Sequence, residues 1–527
     1  MHAAHVIAAS LIAVVTAAAA LVAAPPPPET ITLAQCAALK SVTIADTTIE
    51  SASDVAGPTF TPPGGATLNN LPAFCRVAAV TKPAVRFEVW LPMTTWNGKF
   101  QGVGNGGTAG VISYGALATG IRRGYATAST DTGHVSKDSA DSSWALGRPD
   151  LVADFGHRGL HVMTENGKKL TRALYQAAPR HSYYVGCSKG GQQGLMEAQR
   201  YPADYDGIVA GAPAQNATRS YLAGHLWAAL ATEKDPESYI PAAKVPIIQR
   251  AVVAACDGHD GVTDGVIDDP RKCTYDPAPL TCQAGQDPST CLTDKQVAAV
   301  RKIWDGPRNS KGERVYAPYV RGAESGNGAW ERYVTGDRSR DGRHFLLADG
   351  FLKYVVFQDL RYDFRRFDFD TDLPAALQKI APMIDAMDPN LRPLQQRGGK
   401  LIVYHGWNDP SIPALNSVDY YESVVSTIGG NATRDAALAD TQSFYRLFLV
   451  PGMQHCSGGP GTDTFDMLTV LENWVEKSVA PASIPATHRT AGRVDRSRPL
   501  CPYPQVSIYS GTGSTDDAAN FRCGVRP

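Results

Sequence analysis

The chain has 527 residues, 43% of them hydrophobic, so it can bury a sizeable core and is too long for one simple domain. With 50 Lys and Arg against 51 Asp and Glu, its formal net charge is -1. That balance excludes electrostatic capture of nucleic acid or of an anionic membrane as the basis of function.

Residues 6–24 are almost wholly apolar and Ala-rich, and four prolines follow them. The run is short for a membrane span and reads as a cleaved signal segment over 1–24. Only His2 and His5 stand before it, with no Lys or Arg, so an uncleaved anchor is the competing reading. No later stretch is apolar for long enough to span a bilayer, which predicts a secreted or periplasmic protein without membrane contact once the segment is removed. The ten cysteines agree with export. Their even number suggests a disulfide framework, and the absence of a CxxC pair argues against a zinc site.

Residues 25–70 read as a loose lead-in with one or two strands. RFEVWLP alternates as a strand should, and KFQGVGNGGTAG is a strand running into a glycine turn. A short strand follows within 121–130, then a helix over 154–177. SYYVG is a strand, CSKG a turn, GQQGLMEAQRYP a helix and DGIVAGAP another strand. The alternation stops near 215 and resumes at KLIVYHG, followed by strand YRLFLVPG and helix DMLTVLENWVEK. Such a rhythm predicts a mostly parallel sheet wrapped by helices. The fold class is α/β, an α/β-hydrolase core in two parts, 25–215 and 399–527, interrupted by a lid domain over 216–398.

Gly186-Cys187-Ser188-Lys189-Gly190 fits G-x-S-x-G between a predicted strand and a predicted helix. That turn exposes the serine Oγ at a helix N-terminus, where backbone N–H groups favour developing negative charge. The serine needs a base, and the base an orienting acid, in chain order Ser, Asp, His. Asp409 follows KLIVYHGWN and His455 follows YRLFLVPGMQ, so Ser188, Asp409 and His455 are the candidate triad. Asp131 and Asp463 are rival acids. His405 reads as structural, and so do His157 and His161, which share a helix face and could otherwise pair on a metal. The oxyanion hole is expected from the N–H of Lys189 and one in the early glycine loop, Gly107 first and Gly106 next. A disulfide between Cys187 and Cys456 would fix the elbow to the histidine loop; two free thiols are the alternative.

GCSKGG at 186–191, YHGWNDPSIP at 404–413 and VPGMQHCSGGPG at 450–461 together resemble the tannase and feruloyl esterase family, over the chain from about residue 36 to the C-terminus. The resemblance implies the same triad, an inserted lid, and the pairs Cys36–Cys75, Cys187–Cys456, Cys256–Cys273, Cys282–Cys291 and Cys501–Cys523. It bears also on CDGHDGVTDGVIDD at 256–269. By spacing alone Asp257, Asp260 and Asp264, with the carbonyls of Val262 and Val266, suit either calcium or a solvated acidic turn. The resemblance implies a structural calcium there.

The family includes enzymes for feruloyl and gallate esters and a branch that cleaves mono(2-hydroxyethyl) terephthalate. That branch places an arginine in the lid for the free carboxylate; here Leu347 stands in its place, Tyr333 replaces a tryptophan and Ile412 a phenylalanine. A leucine cannot pair a carboxylate. The expected substrate is therefore a small-molecule ester of a neutral phenolic acid, resting on Tyr333, Phe351 and Ile412 beside Leu347. Tannase or terephthalate monoesterase activity is the alternative within the family. A silent binding protein on a hydrolase scaffold, or a peptidase, are the alternatives outside it.

Overall fold

The computed structural model describes residues 30–136, 138–326 and 328–526; the signal segment read at 1–24 lies outside them. Nine strands build one sheet: β1 (Thr47–Val55), β2 (Phe74–Thr81), β3 (Val85–Pro92), β4 (Lys99–Val103), β5 (Ala126–Thr130), β6 (His181–Cys187), β7 (Gly207–Gly211), β8 (Lys400–Gly406) and β9 (Tyr445–Val450). Their spatial order is β1-β2-β3-β5-β4-β6-β7-β8-β9. β5, β4 and β6 to β9 run parallel to their neighbours, while β1, β2, β3 and β5 meet antiparallel. The sheet is thus an α/β-hydrolase sheet, parallel in its functional half and antiparallel at its N-terminal edge. The parallel strands are covered on both faces, and every residue of β5 and β7 is buried.

Three helices hold this half in place. Gly159–Tyr175 packs on β3, β4 and β5, Lys189–Arg200 on β6 and β7, and Met467–Lys477 on β7 and β8. The first is longer than its regular part, because Pro149–Ala153 and a wide turn over Asp154–Arg158 lead into it. The strand expected within 121–130 is confined to β5. Ile121 and Arg122 instead end a helix, Tyr114–Arg122, whose buried Leu117, Ala118 and Ile121 have helical spacing. After the last helix come two hairpins, Ile484–Thr490 with Arg493–Leu500 and Val506–Tyr509 with Phe521–Gly524.

Residues 212–399 enter between β7 and β8. Part of this insertion has its own core, with Ile248, Val252, Val300, Ile303, Trp304 and Trp330 among its members. The rest does not stand apart. Leu226, Leu347, Phe351, Leu352 and Ile380 share one apolar cluster with Ala109, Val152 and Phe155 of the sheet-bearing part. Five disulfides form, in the pairs the resemblance implies: Cys36–Cys75, Cys187–Cys456, Cys256–Cys273, Cys282–Cys291 and Cys501–Cys523.

The elbow region is packed backbone against backbone. A Cβ on Gly104 would stand 2.6 Å from the Gly190 Cα and 3.1 Å from the Gly186 Cα. Backbone cannot yield as a flexible side chain can, so Gly104→Ala is expected to lose about 1–3 kcal/mol and several degrees of melting temperature. Gly106→Ala, whose Cβ would meet nothing within 4 Å, is its control and should melt with the wild type in calorimetry.

Candidate active site

β6 ends at Cys187, and Ser188 turns the chain into the helix Lys189–Arg200 with φ 63° and ψ -120°. A serine held there carries roughly 1–3 kcal/mol of strain, so the surroundings must fix it. They do so through the backbone: Ser188 N–H donates to Gly211 O (2.9 Å), and Ser188 O accepts from Gln192 (3.0 Å) and Ala214 (3.1 Å).

His455 lies in the loop after β9, and its Nδ1 stands 2.7 Å from Asp409 Oδ2. Asp409, in the loop after β8, is buried. Its Oδ1 accepts the N–H groups of Ser411 (2.8 Å) and Ile412 (2.9 Å), and its Oδ2 also meets His405 Nε2 (3.1 Å). Burial alone would push this carboxyl up, but His455 and then His405 outweigh it and hold it well below the usual carboxylate range. Asp409 is therefore an anion, and an acceptor only, so the proton on that His455–Asp409 bond belongs to Nδ1. His405 is a brace: Nδ1 meets Ser417 Oγ (2.8 Å) and Nε2 also reaches Ile412 O (2.9 Å).

The rival acids serve elsewhere. Asp131 accepts the N–H groups of Gly133 and Arg86, and Asp463 accepts that of Gly458. His157 meets Tyr201 Oη and His161 meets Asp204, so these two rings have separate partners; His161 groups with Glu197 and Asp204, their ligand-type atoms within 4.8 Å of one another.

Ser188 is brought to His455 by sulfur. The Cys187–Cys456 bond joins the residue before one to the residue after the other, with Cα atoms 6.0 Å apart. Among the described residues no hydrogen bond links Ser188 to His455.

The glycine loop is docked on the elbow helix. Asn105 O accepts Gly190 N–H (2.8 Å), Gln193 Oε1 accepts Asn105 N–H (3.0 Å), and Asn105 Nδ2 donates to Thr130 O (2.8 Å). Gly107 needs to be glycine, with φ 56° and its Cα against Ser139. No described residue accepts the N–H groups of Lys189, Gly106 or Gly107. The Lys189 amine is turned away from solvent: it donates to Gln192 Oε1 (2.6 Å) and lies 3.6 Å from the Phe155 ring centroid, and burial pushes it well below its ordinary range.

Of the four expected substrate contacts, Tyr333 and Ile412 adjoin the triad. The Tyr333 ring meets His455 edge-on at 5.9 Å, and Ile412 serves through its backbone, N–H to Asp409 and carbonyl to His405. Phe351 stacks on Tyr221 at 4.4 Å, and Leu347 lies buried in the same apolar cluster. Two buried rings unmarked in the sequence stand beside Tyr333, namely His344 and, next to it, His225. Nothing local in the sequence identifies them, because only tertiary packing brings them together.

In the acidic loop Asp260, Val262, Asp264 and Val266 line one cavity, and Asp257 adjoins Asp260 in the next. Asp257 Oδ2 accepts Gly265 N–H (2.9 Å), and Asp264 Oδ2 accepts Arg498 Nη2 (2.7 Å). The Asp260 carboxyl is pushed up, first by burial and then by Asp264 and Asp257. An all-oxygen donor set is the kind a hard cation takes, while here Arg498 and Arg496 stand on Asp264 and Arg526 acts on Asp260. In this conformation the three carboxylates do not all come within 4.8 Å of one another.

Three comparisons bear on this geometry. The family model described as tannase and feruloyl esterase matches residues 69–524. An uncharacterized esterase of Xanthomonas campestris is 40% identical, over 93% of this chain and 91% of that protein. The mono(2-hydroxyethyl) terephthalate hydrolase of Piscinibacter sakaiensis is 34% identical, over 88% and 87%. The crystal structure of feruloyl esterase B from Aspergillus oryzae superposes with a TM-score of 0.84 at 30% identity, covering 93% of this chain and all of that one. The chain belongs to the tannase and feruloyl esterase family and is a carboxylic ester hydrolase.

Proposed function

We propose that the protein is an exported serine esterase that cleaves esters of neutral phenolic acids through an acyl-enzyme at Ser188. The observation that carries this reading is the 2.7 Å bond between His455 and the buried Asp409 anion, on a loop held by sulfur against the serine elbow. With Nδ1–H committed to Asp409, His455 Nε2 is left to take the proton of Ser188 as Oγ attacks the ester carbonyl. The N–H groups of Lys189 and Gly107 stabilise the oxyanion. His455 then protonates the leaving alcohol and activates water for deacylation. Asp409 keeps the imidazole in its tautomer and offsets the imidazolium charge as it forms.

The Tyr333 ring beside His455 suits an aromatic acyl group. Leu347 offers no charge, so a neutral acid is preferred over the free carboxylate of a terephthalate monoester, the substrate named for one relative. Five disulfides and the apolar run at 6–24 support export, and among the described residues no helix is long and apolar enough to cross a membrane. A structural calcium belongs to the same reading. Asp257, Asp260 and Asp264 with the carbonyls of Val262 and Val266 would hold it, and its charge would offset the crowding on Asp260.

A fluorophosphonate probe should label the wild type and not Ser188→Ala. Among methyl ferulate, methyl gallate, a terephthalate monoester and a peptide amide, methyl ferulate should give the highest kcat/KM. A fully labelled protein that cleaves only the amide overturns the esterase reading. Replacing Cys187 and Cys456 together by alanine should lower kcat about 10²-fold, because ångström misplacement of such groups costs that much, while KM moves far less. An unchanged kcat removes the clamp from the mechanism. Chelator should lower the melting temperature without abolishing turnover at low temperature; a melting curve indifferent to chelator rejects the calcium.

A further inference from the structure

Beyond the triad the site continues as a row of rings. His455 meets Tyr333 (5.9 Å between centroids), Tyr333 meets His344 (5.8 Å), His344 meets His225 (4.7 Å), His225 meets Tyr221 (5.8 Å), and Tyr221 stacks on Phe351. Both histidines come from the insertion, His225 at the end of the turn Ser220–His225 and His344 from the helix Arg343–Gly350. They are 3% and 1% exposed. Burial, above all, keeps them uncharged: it pushes His344 down to about 3 and His225 well below its ordinary range, where the neighbouring His344 and His455 add to the effect.

The His344 ring has the Pro410 carbonyl beside it, yet neither ring has a partner on both nitrogens. His344 Nε2 stands 3.3 Å from Tyr319 Oη, whose hydroxyl donates to Ser411 O (3.1 Å) beside Asp409. The Nδ1 of His344 and the Nδ1 of His225 have no hydrogen-bond partner among the described residues. Buried polar atoms are nearly always paired, and a row of packing rings would be served better by phenylalanine. Other buried atoms, such as Trp330 Nε1 and Tyr421 Oη, are unpaired too; these two nitrogens differ in sitting on adjacent rings that Tyr333 joins to the His455 imidazole, and that placement points to a ligand that completes them.

We propose that His225 and His344 form the polar end of the acyl pocket and hydrogen-bond a hydroxyl group on the aromatic ring of the acid. This rests on the esterase reading above and deepens it. A neutral imidazole has one donor and one acceptor nitrogen, and a phenolic hydroxyl can both give and take a hydrogen bond. A methoxy group can only accept. Two uncharged rings supply no positive charge for a carboxylate, and the adjacent Arg343 is already held by Asp138 and Ser139. The flanking Tyr333, Tyr221 and Phe351 rings suit the flat acid rather than the leaving alcohol.

The test compares methyl 4-hydroxycinnamate, methyl 4-methoxycinnamate and methyl cinnamate on the wild type, His225→Phe and His344→Phe, with fluorophosphonate labelling of Ser188 as the check on fold and triad. The wild type should prefer the hydroxy ester over both others. Each variant should lose about tenfold more in kcat/KM on the hydroxy ester than on methyl cinnamate, the value of one hydrogen bond. Equal losses on all three esters in variants that still label would make the pair packing only and overturn the proposal. If the variants fail to fold, the wild-type ratio decides: no preference for the hydroxy ester overturns it. A wild type that neither labels nor cleaves any ester brings down the esterase reading itself, a result distinct from a labelled enzyme with a flat ratio.

Discussion

One covalent constraint holds the site together. Ser188 and His455 come from opposite parts of the chain, and the bond between their neighbours Cys187 and Cys456 closes a separation of 269 residues. On a chain-entropy view such a closure is worth roughly 5 kcal/mol, all of it tied to the arrangement that holds the Ser188 and His455 loops together. Both flanks are strained: Ser188 and Cys456 each have a left-handed φ, 63° and 68°. The parallel strands supply the rest of the frame, because β6, β8 and β9 deliver the serine, the acid and the histidine at the same end of one sheet.

Electrostatics then decides what these groups can be. Asp409 is buried, and a buried carboxylate needs partners to remain charged. It has two backbone N–H groups on one oxygen and two imidazoles on the other. The loop that follows β8 is therefore bent around its own aspartate, with Ile412 reporting to Asp409 through its nitrogen and to His405 through its oxygen.

The legible part of the molecule was the part built from local pattern. β6, its turn and the elbow helix read directly from GCSKGG, and β8 and β9 from their apolar runs. The helix Tyr114–Arg122 was hidden by its small residues, YGALATGIR, with two glycines that read as turn or loop although the buried positions have helical spacing. The antiparallel edge was missed because a period-two pattern does not state the direction of its neighbour. The strand Arg493–Leu500, with the sequence RVDRSRPL, has no apolar alternation at all and is fixed by its partner strand and the adjacent Cys501–Cys523 bond. His225 and His344 were silent for a related reason, since they are 119 positions apart in sequence and acquire meaning only where the insertion folds back on the sheet.

The shared apolar cluster of the insertion has a mechanical meaning. A flap that moves as a body must slide over a surface it does not own, yet Leu347, Phe351 and Ile380 interdigitate with Val152 and Phe155 beneath them. Lifting that part would expose the scaffold's interior to water. Opening this part as one rigid flap is therefore costly, and side chains turning in place disturb the packing less.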